Sequence, residues 1–177
     1  MRVVAGELRG RRLATPPKGA GVRPTADRVR EALFSILGDV SDLRVLDLYA
    51  GSGALGIEAL SHGAAEAVFV DKAGPAVAAI KRNLSDLGLE AEVHRREVRR
   101  FLRGAEGEPP FDVVFCDPPY DSATATAGTL AELLPPLLTE SALIVTESDK
   151  RAPLLLPFPL MRERNYGDTR LAVYRGA

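Results

Sequence analysis

The tetrapeptide Asp117-Pro118-Pro119-Tyr120 places an acid, two prolines and an aromatic ring directly after an apolar run. Proline fixes φ at about −65° and supplies a carbonyl group without an N–H donor, so the turn is rigid and rich in acceptors. A turn of this kind beside a flat ring suits holding a planar amine still and stacking on its base. Taken alone, the tetrapeptide is equally compatible with a proline turn that caps a strand.

A glycine turn follows an earlier apolar run, in the order Asp47-Leu48-Tyr49-Ala50-Gly51-Ser52-Gly53. Gly51 and Gly53 allow the backbone to turn tightly and to approach a ligand. The acid comes before the glycines, which departs from the usual dinucleotide fingerprint. A buried carboxylate at Asp47 would repel a pyrophosphate and accept from an ammonium group, so the turn favours a cationic ligand over NAD.

Two more acids follow apolar runs. Asp71 lies 20 residues after Gly51, the distance at which an acid binds ribose hydroxyls in nucleotide-binding folds. Glu97 and the backbone N–H of Val98 follow a shorter run, where they are placed to bind an adenine edge. Each acid alone is also compatible with a surface charge after a strand, but the glycine turn and the spaced acid together indicate a nucleoside site.

Alternating strand and helix patterns position these residues. Nearly continuous apolar strands between amphipathic helices predict a parallel sheet that is covered on both faces. The predicted strands are residues 44–48, 67–70, 91–94, 111–116 and 143–147, and the predicted helices are residues 25–37, 54–62, 75–87, 97–103 and 129–138. Residues 160–165 and 170–174 predict an antiparallel edge hairpin, and residues 2–5 and 11–14 a short N-terminal hairpin. The result is a Rossmann-like α/β fold with seven strands in the main sheet, and such sheets bind ligands at the carboxyl ends of their strands.

Length and composition narrow the classes of protein. The chain has 177 residues, 46% of them apolar, which suits one domain with a sizeable core. Its single cysteine, Cys116, excludes an internal disulfide framework and fits a reducing compartment. The absence of an 18-residue apolar run and of a signal-like start predicts a cytoplasmic protein. His62 and His94 lack a second ligand at metal spacing, so no metal site is expected.

The net charge of −1 conceals an asymmetry. Residues 1–30 carry eight basic side chains against two acids, so this segment has a charge of +6 and the remainder −7. A basic arm on an acidic body indicates a polyanionic partner such as nucleic acid, although charge runs are often only solvated. A second basic set, Arg96, Arg99, Arg100 and Arg103, has the spacing of one helix face and is open to the same two interpretations.

The motifs resemble those of class I S-adenosylmethionine-dependent methyltransferases. Asp-Leu-Tyr-Ala-Gly-Ser-Gly resembles their cofactor loop, and Asp-Pro-Pro-Tyr the signature of enzymes that methylate exocyclic amines of bases. The segments Gly10-Arg11-Arg12-Leu13, residues 23–34 and residues 164–169 are similar to the RsmD family, bacterial 16S ribosomal RNA guanine-N2 methyltransferases. Glu97 departs from that pattern, where Asp or Asn is expected.

The resemblance implies roles for individual residues. Asp117 and the Pro118 carbonyl would accept the hydrogens of the target amine, with Pro119 shaping the turn and Tyr120 stacking on the base. An ionised Asp117 leans toward guanine, whose N1–H and N2 amine are adjacent donors. The cofactor site would contain Asp47, Tyr49, Ala50, Gly51, Ser52, Gly53, Asp71, Lys72, Glu97, Val98 and Thr25. The RNA contacts would be Arg9, Arg11, Arg12, Arg23, Arg28 and Arg30.

Some alternatives stay open at this point. Thr25, Arg28 and Arg30 stand at the start of a helix that faces either RNA or the methionine carboxylate of the cofactor. The expected division is a basic arm at residues 1–24 and a methyltransferase domain at residues 25–177, active as a monomer on 16S rRNA in a partly or fully assembled small subunit. The rival functions are methylation of adenine N6 or cytosine N4 in DNA, and nucleic-acid binding without catalysis.

Overall fold

A computed structural model describes residues 1–17, 26–119 and 122–176. Three predicted site residues, Arg23, Thr25 and Tyr120, lie outside these ranges. Within them, one seven-stranded sheet has the order β3-β2-β1-β4-β5-β7-β6. The strands are β1 Arg44–Leu48, β2 Glu66–Asp71, β3 Glu92–Arg95, β4 Phe111–Cys116, β5 Leu138–Asp149, β6 Leu160–Tyr166 and β7 Thr169–Arg175. The helices are α1 Asp27–Leu37, α2 Ala54–Ser61, α3 Gly74–Leu87, α4 Val98–Gly104 and α5 Ala123–Leu133, followed by a 3-10 turn at Pro135–Leu137.

The sheet is parallel from β3 to β5, and β7 enters antiparallel between β5 and β6. The predicted Rossmann-like class and its antiparallel edge hairpin are therefore confirmed. The chain builds outward from β1 to β2 and β3, then returns to place β4 on the other side of β1. This reversal opens a crevice at the carboxyl ends of β1 and β4, where ligands bind in doubly wound folds.

Two apolar layers cover the sheet. Leu33 and Phe34 of α1, Ile57 of α2 and Ile80 of α3 pack on one face. The other face is filled from helices α4 and α5, with Leu130 fully buried. Helix stripes and near-continuous apolar strands give this layering directly, because each helix buries one face and each central strand buries both.

Several predicted boundaries are wrong, most of all after β4. The sequence predicts a broken helix at residues 129–138, whereas α5 begins at Ala123 and Pro135-Pro136 bring a separate 3-10 turn. Thr124, Thr126 and Gly128 have low helix propensity and obscure the first turns of α5 in the sequence, and packing of Leu130 in the core overrides them. Strand β5 begins at Leu138, five residues earlier than predicted, because Leu138 pairs with Phe111 across a register shift.

The N-terminal hairpin is smaller than predicted. Among the described residues, its two arms form a single antiparallel bridge between Arg2 and Arg12. Backbone hydrogen bonds support it, including Val3 N–H to the Arg11 carbonyl at 2.9 Å and Leu13 N–H to the Met1 carbonyl at 3.0 Å. Val3 and Leu13 are buried in the same apolar layer as α1 to α3, so the hairpin packs onto the sheet domain.

Candidate active site at the switch point

The loop after β1 has an unusual backbone. Tyr49, Gly51 and Gly53 all adopt positive φ, at 58°, 59° and 77°. Glycine adopts this region freely, but a left-handed tyrosine costs about 1–2 kcal/mol and persists only where the surroundings hold it. The Tyr49 hydroxyl lies 3.3 Å from Thr126 Oγ1 of α5, and the Ala50 N–H donates to the Val70 carbonyl at 3.2 Å. The loop is thus held in a strained form at the switch point.

Asp47 lies beneath this loop and is only 2% exposed. Its Oδ2 accepts the Gly56 N–H at 3.0 Å, which ties β1 to the first turn of α2. Burial raises the pKa of Asp47 to about 8, against the lowering effect of the Gly56 N–H, and the nearby Asp71 adds to the rise. A cationic group that reached this carboxyl would favour its ionised form.

Asp71 joins the two loops that follow β1 and β2. Its Oδ2 accepts the Gly51 N–H at 2.9 Å and its Oδ1 accepts the Ala73 N–H at 2.8 Å. Each carboxylate oxygen has a second lone pair, so both can still accept a hydroxyl. The spacing of 20 residues between Gly51 and Asp71, noticed in the sequence, corresponds here to a direct hydrogen bond between them.

A cavity of about 430 Å³ lies beside these loops, between α4 and α5. Its volume is within the range of ligand sites and suits a nucleoside. Its lining includes Tyr49, Lys72, Glu97 and Val98, together with Pro119 and residues in the first turns of α5. Val98 is buried and Glu97 exposed. The cavity therefore brings four of the predicted cofactor residues together with Pro119 of the proline turn around one space, while Asp47 and Asp71 lie behind the neighbouring loops and do not line it.

The described part of the proline turn is fixed by Ser122, which the sequence reasoning missed. The backbone N–H and the hydroxyl of Ser122 both donate to the Pro119 carbonyl, at 3.0 and 2.7 Å. Asp117 is half-buried at the end of β4 and Pro118 is buried. A serine three residues after a proline carbonyl, just before a helix, is a recognisable local turn signal.

Glu147 is a second carboxylate that the sequence reasoning missed. Cys116 pairs with Thr146 in the parallel register, so the next positions are Asp117, directly after β4, and Glu147, two residues before the end of β5. Glu147 is 7% exposed and stands opposite Leu171 of β7. Its sequence signal was an acid at the end of an apolar strand, the same signal that identified Asp71. Cys116 itself is buried, and burial followed by the charge of Asp117 raises the pKa of its thiol well above the ordinary value, so it stays a neutral thiol.

The N-terminal segment reaches the cofactor loop. The Met1 sulfur lies 3.6 Å from the Ser52 hydroxyl. Asn83 of α3 links the Ala14 backbone to the Ser52 carbonyl with hydrogen bonds of 2.7 to 2.9 Å. The Glu58 carboxylate of α2 accepts the N–H groups of Val4 and Ala5 at 2.8 to 3.1 Å.

The prediction that Arg30 contacts RNA is wrong. Its side chain is fully buried, 2.9 Å from Asp27 and 3.6 Å from Glu58, which is also fully buried. A fully buried guanidinium has no surface for a phosphate. The burial of Arg30 could have been predicted from its spacing. Arg30 precedes Leu33, Phe34 and Leu37 by three, four and seven residues, so it lies on the apolar face of α1.

The other described basic residues of the arm are exposed or partly exposed. The Arg11 guanidinium donates to the Asp86 carbonyl at 2.8 Å, in the last turn of α3. That end of α3 faces away from the carboxyl ends of the strands, because helix and strands run in opposite directions. Arg28 lies near the β6–β7 turn, where its guanidinium is 3.8 Å from the position of a Cβ on Gly167. RNA contact by Arg9, Arg11, Arg12 and Arg28 stays a prediction.

Within residues 1–17, 26–119 and 122–176, no group of three or more His, Cys, Asp or Glu side chains could hold a metal ion. None of the described helices is long and apolar enough to cross a membrane.

Comparison with known proteins gives relatives over almost the whole length. The family described as "Conserved hypothetical protein 95" matches residues 1–175. The protein named Ribosomal RNA small subunit methyltransferase D of Haemophilus influenzae is 36% identical over 181 residues, covering 99% of this chain and 93% of that protein. The Escherichia coli K12 protein of the same name is 39% identical over 156 residues, covering 84% and 75%.

Solved structures agree with this assignment. The structure of a hypothetical protein from Thermus thermophilus superposes with a TM-score of 0.86 at 36% identity, covering 99% of both chains. Because the match spans the N-terminal segment, the switch-point loops and the edge hairpin together, this chain belongs to the RsmD family, the family described as "Conserved hypothetical protein 95".

Proposed function

We propose that this protein is an S-adenosylmethionine-dependent methyltransferase that methylates the exocyclic N2 amine of a guanine in 16S ribosomal RNA. The observation that carries the proposal is the cavity of about 430 Å³ that joins the loop of β1, the end of β2 and the proline turn after β4. The names of the family members in Haemophilus influenzae and Escherichia coli support the rRNA substrate.

The donor set suits the cofactor. S-adenosylmethionine supplies an electrophilic methyl group on a sulfonium centre. Asp71 offers carboxylate lone pairs to the ribose hydroxyls. Asp47 would release its proton when the cofactor binds, and its carboxylate would then accept a hydrogen bond from the ammonium group of the cofactor. The buried Val98 and the exposed Glu97 border the space for the adenine ring, and Tyr49 forms the wall toward α5.

Asp117 and Pro118 would act on the target amine. The lone pair of an exocyclic amine is delocalised into the base, so the amine is a poor nucleophile until it is oriented. Hydrogen bonds from the amine to the Asp117 carboxylate and the Pro118 carbonyl hold it in line with the methyl group. Such alignment and fixed dipoles contribute on the order of 7–11 kcal/mol in ideal cases. Ser122 supports this geometry by fixing the Pro119 carbonyl.

The choice of guanine follows from adjacent donors. Guanine presents N1–H and the N2 amine side by side, whereas adenine and cytosine place an acceptor beside their amine. Asp117, directly after β4, and Glu147, near the end of β5, occupy corresponding positions of neighbouring strands, so two carboxylates lie on the side where two donors would arrive. The predicted stacking of Tyr120 on the extruded base is part of the same proposal.

The proposal includes the setting of the reaction. The substrate is 16S rRNA in a partly or fully assembled small subunit, the enzyme acts as a monomer, and the reaction takes place in the cytoplasm, where such subunits assemble.

Small subunits from a strain lacking its own family member provide the test. The wild-type protein should convert one guanosine of 16S rRNA to N2-methylguanosine, as measured by mass spectrometry of digested nucleosides. Asp117→Ala should reduce kcat by at least about 100-fold, because it removes a preorganised acceptor, while calorimetry shows unchanged S-adenosylmethionine binding. The control Asp86→Ala, at an exposed position of α3, should retain full activity.

Different outcomes separate the rivals. Near-normal turnover by Asp117→Ala would remove Asp117 from the mechanism. Methyl transfer to adenine or cytosine in DNA, with none to 16S rRNA, would replace the RNA proposal. A protein that fails to bind S-adenosylmethionine would be a binding module without catalysis.

A further inference from the structure

A second groove, of about 900 Å³, lies next to the cofactor cavity. The β3–α4 turn and α4 form most of it, and Lys72 after β2 completes it. Its cationic lining side chains are Lys72, Arg95, Arg96, Arg99, Arg100 and Arg103. The acid among the described lining residues is Glu97. Six cations against one carboxylate give this groove a strongly positive surface on a chain whose net charge is −1.

The fold does not need this concentration of arginine. On α4, Arg99 and Arg103 stand four residues apart, where like charges destabilise a helix by about 0.2–0.5 kcal/mol per pair, and Arg96 in the preceding turn adds a further positive charge. Glu132 of α5 forms ion pairs with α4, 3.4 Å from Arg99 and 3.8 Å from Arg103. All three side chains are about half exposed, so these ion pairs contribute little to stability. The repulsion is better explained by an anionic ligand.

The groove is continuous with the proposed active site. Lys72, Glu97 and Arg99 line both the groove and the cofactor cavity. S-adenosylmethionine carries no phosphate, so it cannot neutralise the charge of six cationic side chains. A ligand with several anionic groups that also reaches the reacting edge is a nucleic-acid strand, and the planar guanidinium fork matches phosphate oxygens.

We propose that this groove, formed by α4 and Lys72, binds backbone phosphates of the RNA that carries the target guanine. The inference rests on the proposed function and extends it, because it assigns RNA contacts to the β2–β3–α4 side of the site. The N-terminal arm, by contrast, holds Arg11 at the far end of α3. The RNA then crosses the cofactor side of the sheet edge as well as the β4–β5 side.

The test uses two double variants that remove equal charge. Arg96→Gln with Arg100→Gln removes two positive charges from the groove and leaves Lys72 and Arg99, which also line the cofactor cavity, unchanged. Arg82→Gln with Arg162→Gln is the matched control, because Arg82 lies on α3 with its side chain 72% exposed and Arg162 lies on the exposed edge strand β6. Methyl transfer to small subunits and filter binding of naked 16S rRNA are measured from about 50 to 200 mM KCl, the range over which phosphate contacts weaken strongly.

The groove variant should raise KM for subunits about tenfold and weaken binding of naked 16S rRNA. It should also reduce the slope of log affinity against log salt by about 1.5, as expected for the loss of two phosphate contacts. Turnover at saturating subunits and S-adenosylmethionine affinity should match the wild type, and the control should match it throughout. Equal KM and equal salt slope in both double variants would overturn the proposal.

Two further results are decisive. If the groove variant loses subunit affinity while its binding of naked 16S rRNA is unchanged, the partner is an acidic surface of a ribosomal protein, and the RNA proposal is wrong. If the wild-type protein methylates no RNA, the proposed function fails, whereas loss of naked-RNA binding by the groove variant alone still supports the groove as an RNA site.

Discussion

Replacing Asp47 with asparagine should change how the stability of this protein depends on pH. The carboxyl is 2% exposed, and burial raises its pKa from 3.8 to about 8. In the unfolded chain the same group ionises near 3.8. Between these two values the native state holds a proton that the unfolded state releases, so the free energy of unfolding falls as pH rises.

The size of the effect follows from one proton. A difference of one bound proton changes the free energy of unfolding by about 1.4 kcal/mol per pH unit. From about pH 5 to pH 7, both inside the window, Asp47 should therefore lower the stability of the wild-type protein by roughly 2–3 kcal/mol. Asparagine cannot ionise but can accept the Gly56 N–H, so Asp47→Asn should gain that amount relative to the wild type over the same interval.

Urea unfolding followed by circular dichroism at pH 5, 6 and 7 measures this difference, since the chain contains no tryptophan. Asp39→Asn is the control, because hydrogen bonds from Ser41 lower the pKa of Asp39 and its titration lies below the window. The control should run parallel to the wild type. Parallel curves for Asp47→Asn and the wild type would refute the reasoning that Asp47 is protonated in the free protein.

Two more substitutions test the packing around the site. Gly56→Ala places a Cβ 2.3 Å from the buried Phe69 ring of β2, so it should lower the free energy of unfolding in urea by about 1–3 kcal/mol. Gly128→Ala is the control: its Cβ would meet nothing within 4 Å, so the free energy of unfolding should stay equal or rise by up to about 1 kcal/mol. Equal stabilities of the two variants would contradict this. Glu58→Gln leaves buried Arg30 without its buried countercharge and should cost about 3–5 kcal/mol, against almost nothing for the exposed control Glu31→Gln. A loss below about 1 kcal/mol would show that Arg30 does not need the charge of Glu58.

The sequence was sufficient for the order of the elements and for the half of the site that local signals encode. Local sequence patterns of a few residues identify the glycines at positive φ, the proline in the first turn of α3 and the acids at strand ends. Gly51 and Asp71 were paired by their spacing, and the structure joins them by a hydrogen bond. These features succeed because the physical cause and the sequence signal lie in the same segment.

The missed features depend on partners far away in the chain. Arg30 is buried because Glu58 lies 28 residues later on another helix. The early start of β5 depends on Leu138 finding Phe111 across a register shift. Tyr49 has a strained backbone, and its side-chain hydroxyl contacts Thr126, which lies 77 residues later in the chain. A periodicity in one segment does not contain such tertiary contacts.

Helix α2 explains why the N-terminal arm and the cofactor loop act as one structure. Its eight residues are nearly all buried. Gly56 in its first turn donates to Asp47 beneath the loop, Glu58 in its middle holds the backbone of Val4 and Ala5, and Ser61 at its end accepts the Leu8 N–H at 2.9 Å. A change that loosens the arm therefore removes the partners of a buried carboxylate one turn from the loop. Loss of RNA binding in an arm variant consequently identifies an RNA contact only when its cofactor affinity and its unfolding free energy equal those of the wild type.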